Sequence, residues 1–261
     1  MFLFTIIKLG KSVNPSLSTI VAVTFTFCCA AEPIATPNKP IKKMNLLNSI
    51  KLFEFNLNQS NCCLIDLSEN NEALKNIDTH NLEQLHGFIF NKIQQEGKKA
   101  GIGGYLERRS LYQKSEVFRS DSSNFRNIHL GVDIWCAENT AIYMPFDGEI
   151  HSFKNNSAFG DYGPTIITKH KLQNETFHLL FGHLSTSSLS QLAVGKKISK
   201  GDLLAKLGTP KENVGWPPHL HFQVIIDMGN AFGDYPGVCS EKELDFYHNN
   251  CPNPQLFLQK F

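Results

Sequence analysis

The chain has almost no net charge: 25 basic residues face 24 acidic ones, a formal +1 over 261 residues. That balance leaves no electrostatic footprint for nucleic acid or for an anionic membrane surface, so binding must come from a local site. Any Cys-x-x-Cys spacing is also missing. The seven cysteines, Cys28, Cys29, Cys62, Cys63, Cys136, Cys239 and Cys251, are odd in number, which argues against a thiolate zinc site and a regular disulfide framework. Cys239 and Cys251 could pair in an oxidising compartment, with free buried thiols as the alternative. There is no phosphate loop: Gly101-Ile102-Gly103-Gly104 has no strand pattern before it and no Lys-Ser/Thr after it, and reads as a flexible turn. The apolar run near the N-terminus is shorter than the roughly 20 residues that span a bilayer. With 41% hydrophobic and 19% charged residues the chain can still bury a full core, and one main domain with extensions is expected.

What is present divides the chain into segments. Lys8 and Lys11 precede a mostly apolar run from Thr19 to Ala31 that closes on small residues, followed by Pro33, Pro37 and Pro40. This pattern predicts a signal peptide at 1–31 and a linker at 32–44, and hence a secreted or periplasmic, cell-envelope protein. If Met44 is the true initiator, the protein is cytoplasmic instead. Between Asn81 and Lys99, Leu82, Leu85, Ile89 and Ile93 recur at helical spacing, with Asn81 and Gln84 as a start signal and Gly101 as a stop. Residues 45–108 are therefore expected to form a helical N-terminal extension.

From about Ile128 the texture changes to short β-rich runs separated by Gly, Pro, Asn and Asp. These are Ala141–Phe146, Gly148–Phe153, Thr165–His170, Thr176–Gly182, Asp202–Leu207 and His219–Ile226. No β-α alternation appears, so the expected fold is mainly β, an antiparallel sheet, sandwich or barrel.

Within it, His219-Leu220-His221 alternates imidazoles with an apolar residue. On a strand both histidines share one face, their Cα atoms about 7 Å apart, so one can bind a metal while the other faces a substrate. His129 and Asp133 would lie about 13 Å apart on a straight strand, too far for one metal with bonds of about 2.0–2.2 Å. That segment must bend, and Gly131 is the least costly place. His183 ends an apolar run before a polar loop. His86, His151, His170 and His178 read as surface or structural residues.

Taken in order, His129-x-x-x-Asp133, Gly182-His183-Leu184-Ser185 and His219-Leu220-His221-Phe222 resemble the lysostaphin/LytM-type zinc metalloendopeptidases, which cut peptidoglycan peptides. The likeness runs from about Arg109 to Asp227 and includes MPFDGEI and VGKKISKGDLLAKLG. It implies a LytM-type catalytic domain at 109–230 and a C-terminal elaboration at 231–261. It further implies Zn2+ held by His129, Asp133 and His221, with His183 and His219 catalytic, and a peptidoglycan or short peptide substrate. Two imidazoles and a carboxylate leave one tetrahedral position for water, as in catalytic zinc sites. Which of His183 and His219 is the base stays open.

The chain also departs from the family pattern. Phe181 and Pro164 replace a usual tyrosine and a small polar residue, Ser120 to Ile128 holds no tyrosine, and Trp216-Pro217-Pro218 replaces small residues before His219. GYLERR, HLGVDIW, DYGPTII, WPPHLHFQVI and the DYPGVC…CPNP tail resemble a subgroup that also occurs beside class III aminotransferases. Two competing readings are a noncatalytic regulator or binding module of the same fold, whose members usually lose ligands, and a carrier-type barrel suggested by GKKISKGDLLAKLG. The latter lacks a lysine-centred attachment motif and leaves the histidines unexplained.

Overall fold

Period-two alternation builds the central sheet. In the computed structural model, which describes residues 50–112, 125–172 and 174–258, eight strands pair in the order β1-β2-β4-β11-β8-β7-β6-β9. In chain order these are β1 (Cys62–Leu64), β2 (Ala100–Gly103), β4 (Val132–Trp135), β6 (Gly148–Asn156), β7 (Gly163–Leu172), β8 (Glu175–Gly182), β9 (Lys197–Ile198) and β11 (His219–Ile225). Strands β3 (Ile128–His129) and β12 (Val238–Cys239) form one separate pair, and β5 (Ala141–Tyr143) and β10 (Leu203–Lys206) another. The fold is mainly β. The signal peptide and linker expected at 1–31 and 32–44 lie outside the described residues, as do residues 120–124 of the tyrosine-free stretch. Among the described residues no helix is long and apolar enough to cross a membrane.

Strand β11 shows why the sequence folds this way. Leu220, Phe222 and Val224 point to one face, are fully buried, and join Val132, Ile134, Leu179 and Phe181 in the main core. Burying each such side chain contributes about 1.5–3 kcal/mol. The intervening His219, His221 and Gln223 therefore fall on the opposite face. Asp133 and Trp135 reach that same face from β4, which lies antiparallel to β11 with His221 opposite Asp133 and His219 opposite Trp135. Strand β8 flanks β11 on its other side, with Gly182 opposite His221.

The N-terminal segment differs from a purely helical extension. Helix α1 (Leu82–Gln95) forms as expected, capped by the Asn81 side chain accepting from the Gln84 N–H at 3.1 Å, with Leu85, Ile89 and Ile93 buried. Around it, however, β1 and β2 pair in parallel and β2 pairs antiparallel with β4, so the extension lengthens the main sheet and makes it mixed. The glycine run read as a flexible turn is therefore a buried strand through Gly103. Its glycines are needed for close approach: a Cβ at Gly101 would meet Ile65 Cγ1 at 2.4 Å, and one at Gly103 would meet the Ile65 carbonyl at 2.2 Å. A sequence with no side chains to alternate cannot announce such a strand.

After β12, helix α2 (Leu244–Asn250) leads to Cys251. Cys239 and Cys251 are free, buried thiols and not a disulfide pair. Burial raises both to about 12, which makes them inert packing groups.

Candidate metal centre

The chain bends between β3 and β4 at Leu130-Gly131, and this turns His129 back over Asp133. Space also demands glycine there, because a Cβ at Gly131 would meet His221 Cε1 and Nε2 at 2.7 Å. The result is a tight triangle of donor atoms. His129 Nε2 lies 2.9 Å from His221 Nδ1 and 3.3 Å from Asp133 Oδ1, and His221 Nδ1 lies 3.2 Å from the same Oδ1. All three residues are buried.

The outer nitrogens of the two rings fix what the inner ones present. His129 Nδ1 sits 2.9 Å from the Gly104 carbonyl and His221 Nε2 sits 2.9 Å from Gln223 Oε1, so each must be the N–H donor. In the neutral rings His129 Nε2 and His221 Nδ1 are then both lone pairs, facing each other beside a carboxylate oxygen. Three acceptors converging in a buried space suit a cation among them. Burial and the Arg109 charge push the His129 imidazole down to about 4, so it carries no second proton near neutrality. Burial alone would raise the Asp133 carboxyl, but His129 and Arg109 outweigh it and hold it well below the ordinary carboxylate range. A tetrahedral zinc with bonds of about 2.0–2.1 Å has its ligand atoms about 3.3 Å apart. The donor set and its spacing fit that ion.

Two more imidazoles lie beside the triangle. His219 donates Nδ1–H to the Pro217 carbonyl at 2.7 Å, which leaves Nε2 as a lone pair 3.8 Å from Asp133 Oδ1. Its ring centre is 3.9 Å from that of His183. His183 follows the end of β8 with φ +62°, in the left-handed region that costs a non-glycine residue of order 1 kcal/mol and recurs at functional positions. Burial, followed by the neighbouring imidazoles, lowers His183 well below its ordinary value; burial also lowers His219. Burial thus holds both rings toward the neutral form. The five side chains line a cavity of about 360 Å³ whose other walls include Trp135, Trp216, Tyr162 and Leu85.

All five residues singled out from the sequence therefore come together on one sheet face. Four others went unread. Tyr162 packs its ring 4.9 Å from that of His221 and donates its hydroxyl to the Tyr235 carbonyl at 3.1 Å. Gln223 continues the two-residue alternation of His219 and His221, a signal that was there to be followed. Arg109 donates Nη1–H to Asp133 Oδ2 at 2.7 Å across a separation of 24 residues, and Gly104 supplies only its carbonyl. Neither leaves any local pattern.

This fold and site define a β-sheet protein with a buried candidate metal centre of the His-Asp-His type. Residues 127–232 match the model of peptidase family M23. No match was found among curated proteins. Among solved structures, Csd3 of Helicobacter pylori aligns with 19% identity and a TM-score of 0.34, over 52% of this chain and 28% of that one. The catalytic domain of lysostaphin from Staphylococcus simulans aligns with 20% identity and a TM-score of 0.33, over 46% of this chain and 80% of the domain.

Proposed function

We propose that this protein is a zinc-dependent endopeptidase that hydrolyses peptide bonds, with peptidoglycan stem peptides or cross-bridges as its substrate class. The observation that carries this reading is the convergence of two imidazole lone pairs and one carboxylate oxygen at zinc-like spacing in a peptidase-family domain. In it His129, Asp133 and His221 hold the ion. A zinc ion bound there would supply Lewis acidity, polarising the scissile carbonyl and lowering the pKa of a water molecule toward about 7.

The remaining steps fall to the chain's own groups. His219, its Nδ1–H anchored on the Pro217 carbonyl, offers Nε2 toward the same space as a proton acceptor and, once protonated there, as a donor to the developing oxyanion. His183, its ring tilted 35° against that of His219, takes the complementary part: one imidazole removes the water proton and the other steadies the oxyanion or returns a proton to the leaving amine. Trp216 and Pro217 wall the cavity beside His219 and limit which peptide side chains enter. A cell-envelope location, expected from residues 1–31, belongs to the same proposal.

The deciding experiment compares muropeptide release by the wild type and by His183→Ala, with zinc content measured on both. About one equivalent of zinc in each is expected, with turnover lowered about 10²–10⁴-fold in the variant, the usual loss for a general acid-base group. Zinc-loaded wild type that releases no muropeptide, yet cleaves other short peptides, would move the substrate away from the cell wall. Loss of zinc in His183→Ala would instead make His183 a ligand.

A further inference from the structure

Every donor of the triangle is held from behind, and each chain of contacts that holds it reaches a group outside residues 127–232, the segment shared with the family. His129 Nδ1 rests on the carbonyl of Gly104, where the backbone has φ +103° and an added Cβ would meet Arg109 Nη2 at 2.1 Å and His129 Nδ1 at 3.0 Å. Asp133 Oδ2 accepts from Arg109 Nη1 at 2.7 Å, which leaves Oδ1 for the triangle. Arg109 is itself oriented, its Nε–H donating to Glu107 Oε2 at 2.6 Å while Glu107 Oε1 accepts from the Leu67 N–H at 3.0 Å. On the far side, Gln223 Nε2 donates to the Pro236 carbonyl at 3.0 Å and to Cys251 Sγ at 3.3 Å.

These last two contacts have a chemical result. Both amide hydrogens of Gln223 are spoken for by acceptors, so its Oε1 is the atom that faces His221. An acceptor at that position makes His221 carry its proton on Nε2 and present Nδ1 as the lone pair. Likewise a buried carboxylate with both oxygens free could rotate, whereas one gripped on Oδ2 by a buried guanidinium cannot. Outer partners of this kind orient ligands and raise their basicity.

We infer that Arg109 and Gln223 are positioning residues of the metal site, and that the segments flanking residues 127–232 complete that site through Gly104, Glu107, Pro236 and Cys251. The inference rests on the metal reading above. Gln223 itself lies within the matched segment, whereas Gly104 and Arg109, which back His129 and Asp133, come from before it and Pro236 and Cys251, which hold Gln223, come from after it.

The test uses the full chain, stripped of metal with a chelator and titrated with zinc in competition with a chromophoric chelator. Gln223→Met and Arg109→Met should each weaken zinc binding about 10–100-fold, the usual cost of an outer partner. Gln223→Glu, which keeps an acceptor for His221, should recover most of the loss. Co2+ loaded in place of zinc should show an altered visible absorption spectrum in the two Met variants. Arg109→Met leaves Glu107 and Asp133 buried without their partner, so if it does not fold, Gln223→Met carries the test, with circular dichroism matching the wild type as the control. Wild-type zinc affinity and an unchanged Co2+ spectrum in folded Gln223→Met would overturn the inference while leaving the metal reading intact. A wild type that binds no zinc would overturn both.

Discussion

The sheet holds two groups of histidines, and they differ in what stands behind the rings. At the β4-β11-β8 end, His129 and His221 give their outer N–H groups to Gly104 and Gln223, so their inner lone pairs converge on Asp133. In the β6-β7-β8 half, the His151 and His178 ring centres also lie 4.9 Å apart, while His170 faces the other side of the sheet, stacked on Phe177. There His170 has both nitrogens occupied, one by Thr168 Oγ1 at 2.7 Å and one by the Asp147 carbonyl at 3.0 Å. His151 and His178 meet edge to face, and among the described residues neither belongs to a group of donors that could hold a metal ion. Proximity of imidazoles is thus common to both groups. What separates them is whether the outer hydrogen bonds aim the spare lone pairs at one point.

Metal affinity offers the sharpest way to break this contrast. Asp133→Ala should reduce zinc binding by more than the about 10–100-fold that loss of an outer partner costs, whereas His178→Gln should leave zinc content at the wild-type level. A second measurement is thermal melting with and without metal. Zinc at a hundred times its dissociation constant should stabilise the wild type by about 2.7 kcal/mol, or about 5–10 °C for a protein of this size. His178→Gln should show the same increment and Asp133→Ala almost none. Equal zinc responses in the two variants would mean that the convergence of lone pairs at Asp133 has no special standing.

Much of the site is legible in the sequence because strand periodicity is a local rule. His219 and His221 must share a face, and the 13 Å problem between His129 and Asp133 already demands a bend at Gly131, by the rise of about 3.3 Å per residue. The main β fold is legible for the same reason. The groups that organise the site are not, because they act at long range through backbone carbonyls or single side chains. Gly104 looks like a turn glycine until β2 is seen pairing with β4. Arg109 gives no more local signal than Arg108 beside it, yet it is 2% exposed and gripped between Glu107 and Asp133. Strands β1 and β2 escaped notice because three and four residues, half of the latter glycine, hold too little alternation to read.

The smallest effect expected concerns the histidine group without a donor set, and it tests whether that group is purely structural. Burial, followed by the charges of His151 and Lys169 and by His170, lowers His178 to about 4. Its ring is then neutral in the folded protein, while in the unfolded chain it gains a proton below the ordinary histidine value of about 6.5. Protons favour the unfolded state in that window, so stability is complete above about pH 6.5 and declines toward about pH 4. Discounted for the ring's partial contact with solvent, the decline due to His178 is on the order of 1–2 kcal/mol. Denaturant titrations of the wild type and His178→Gln between these limits measure it directly. The stability gap between the two proteins should shift in favour of the variant as the pH falls. A gap constant across the range would show that His178 titrates alike in both states, and so is not packed as a neutral core residue.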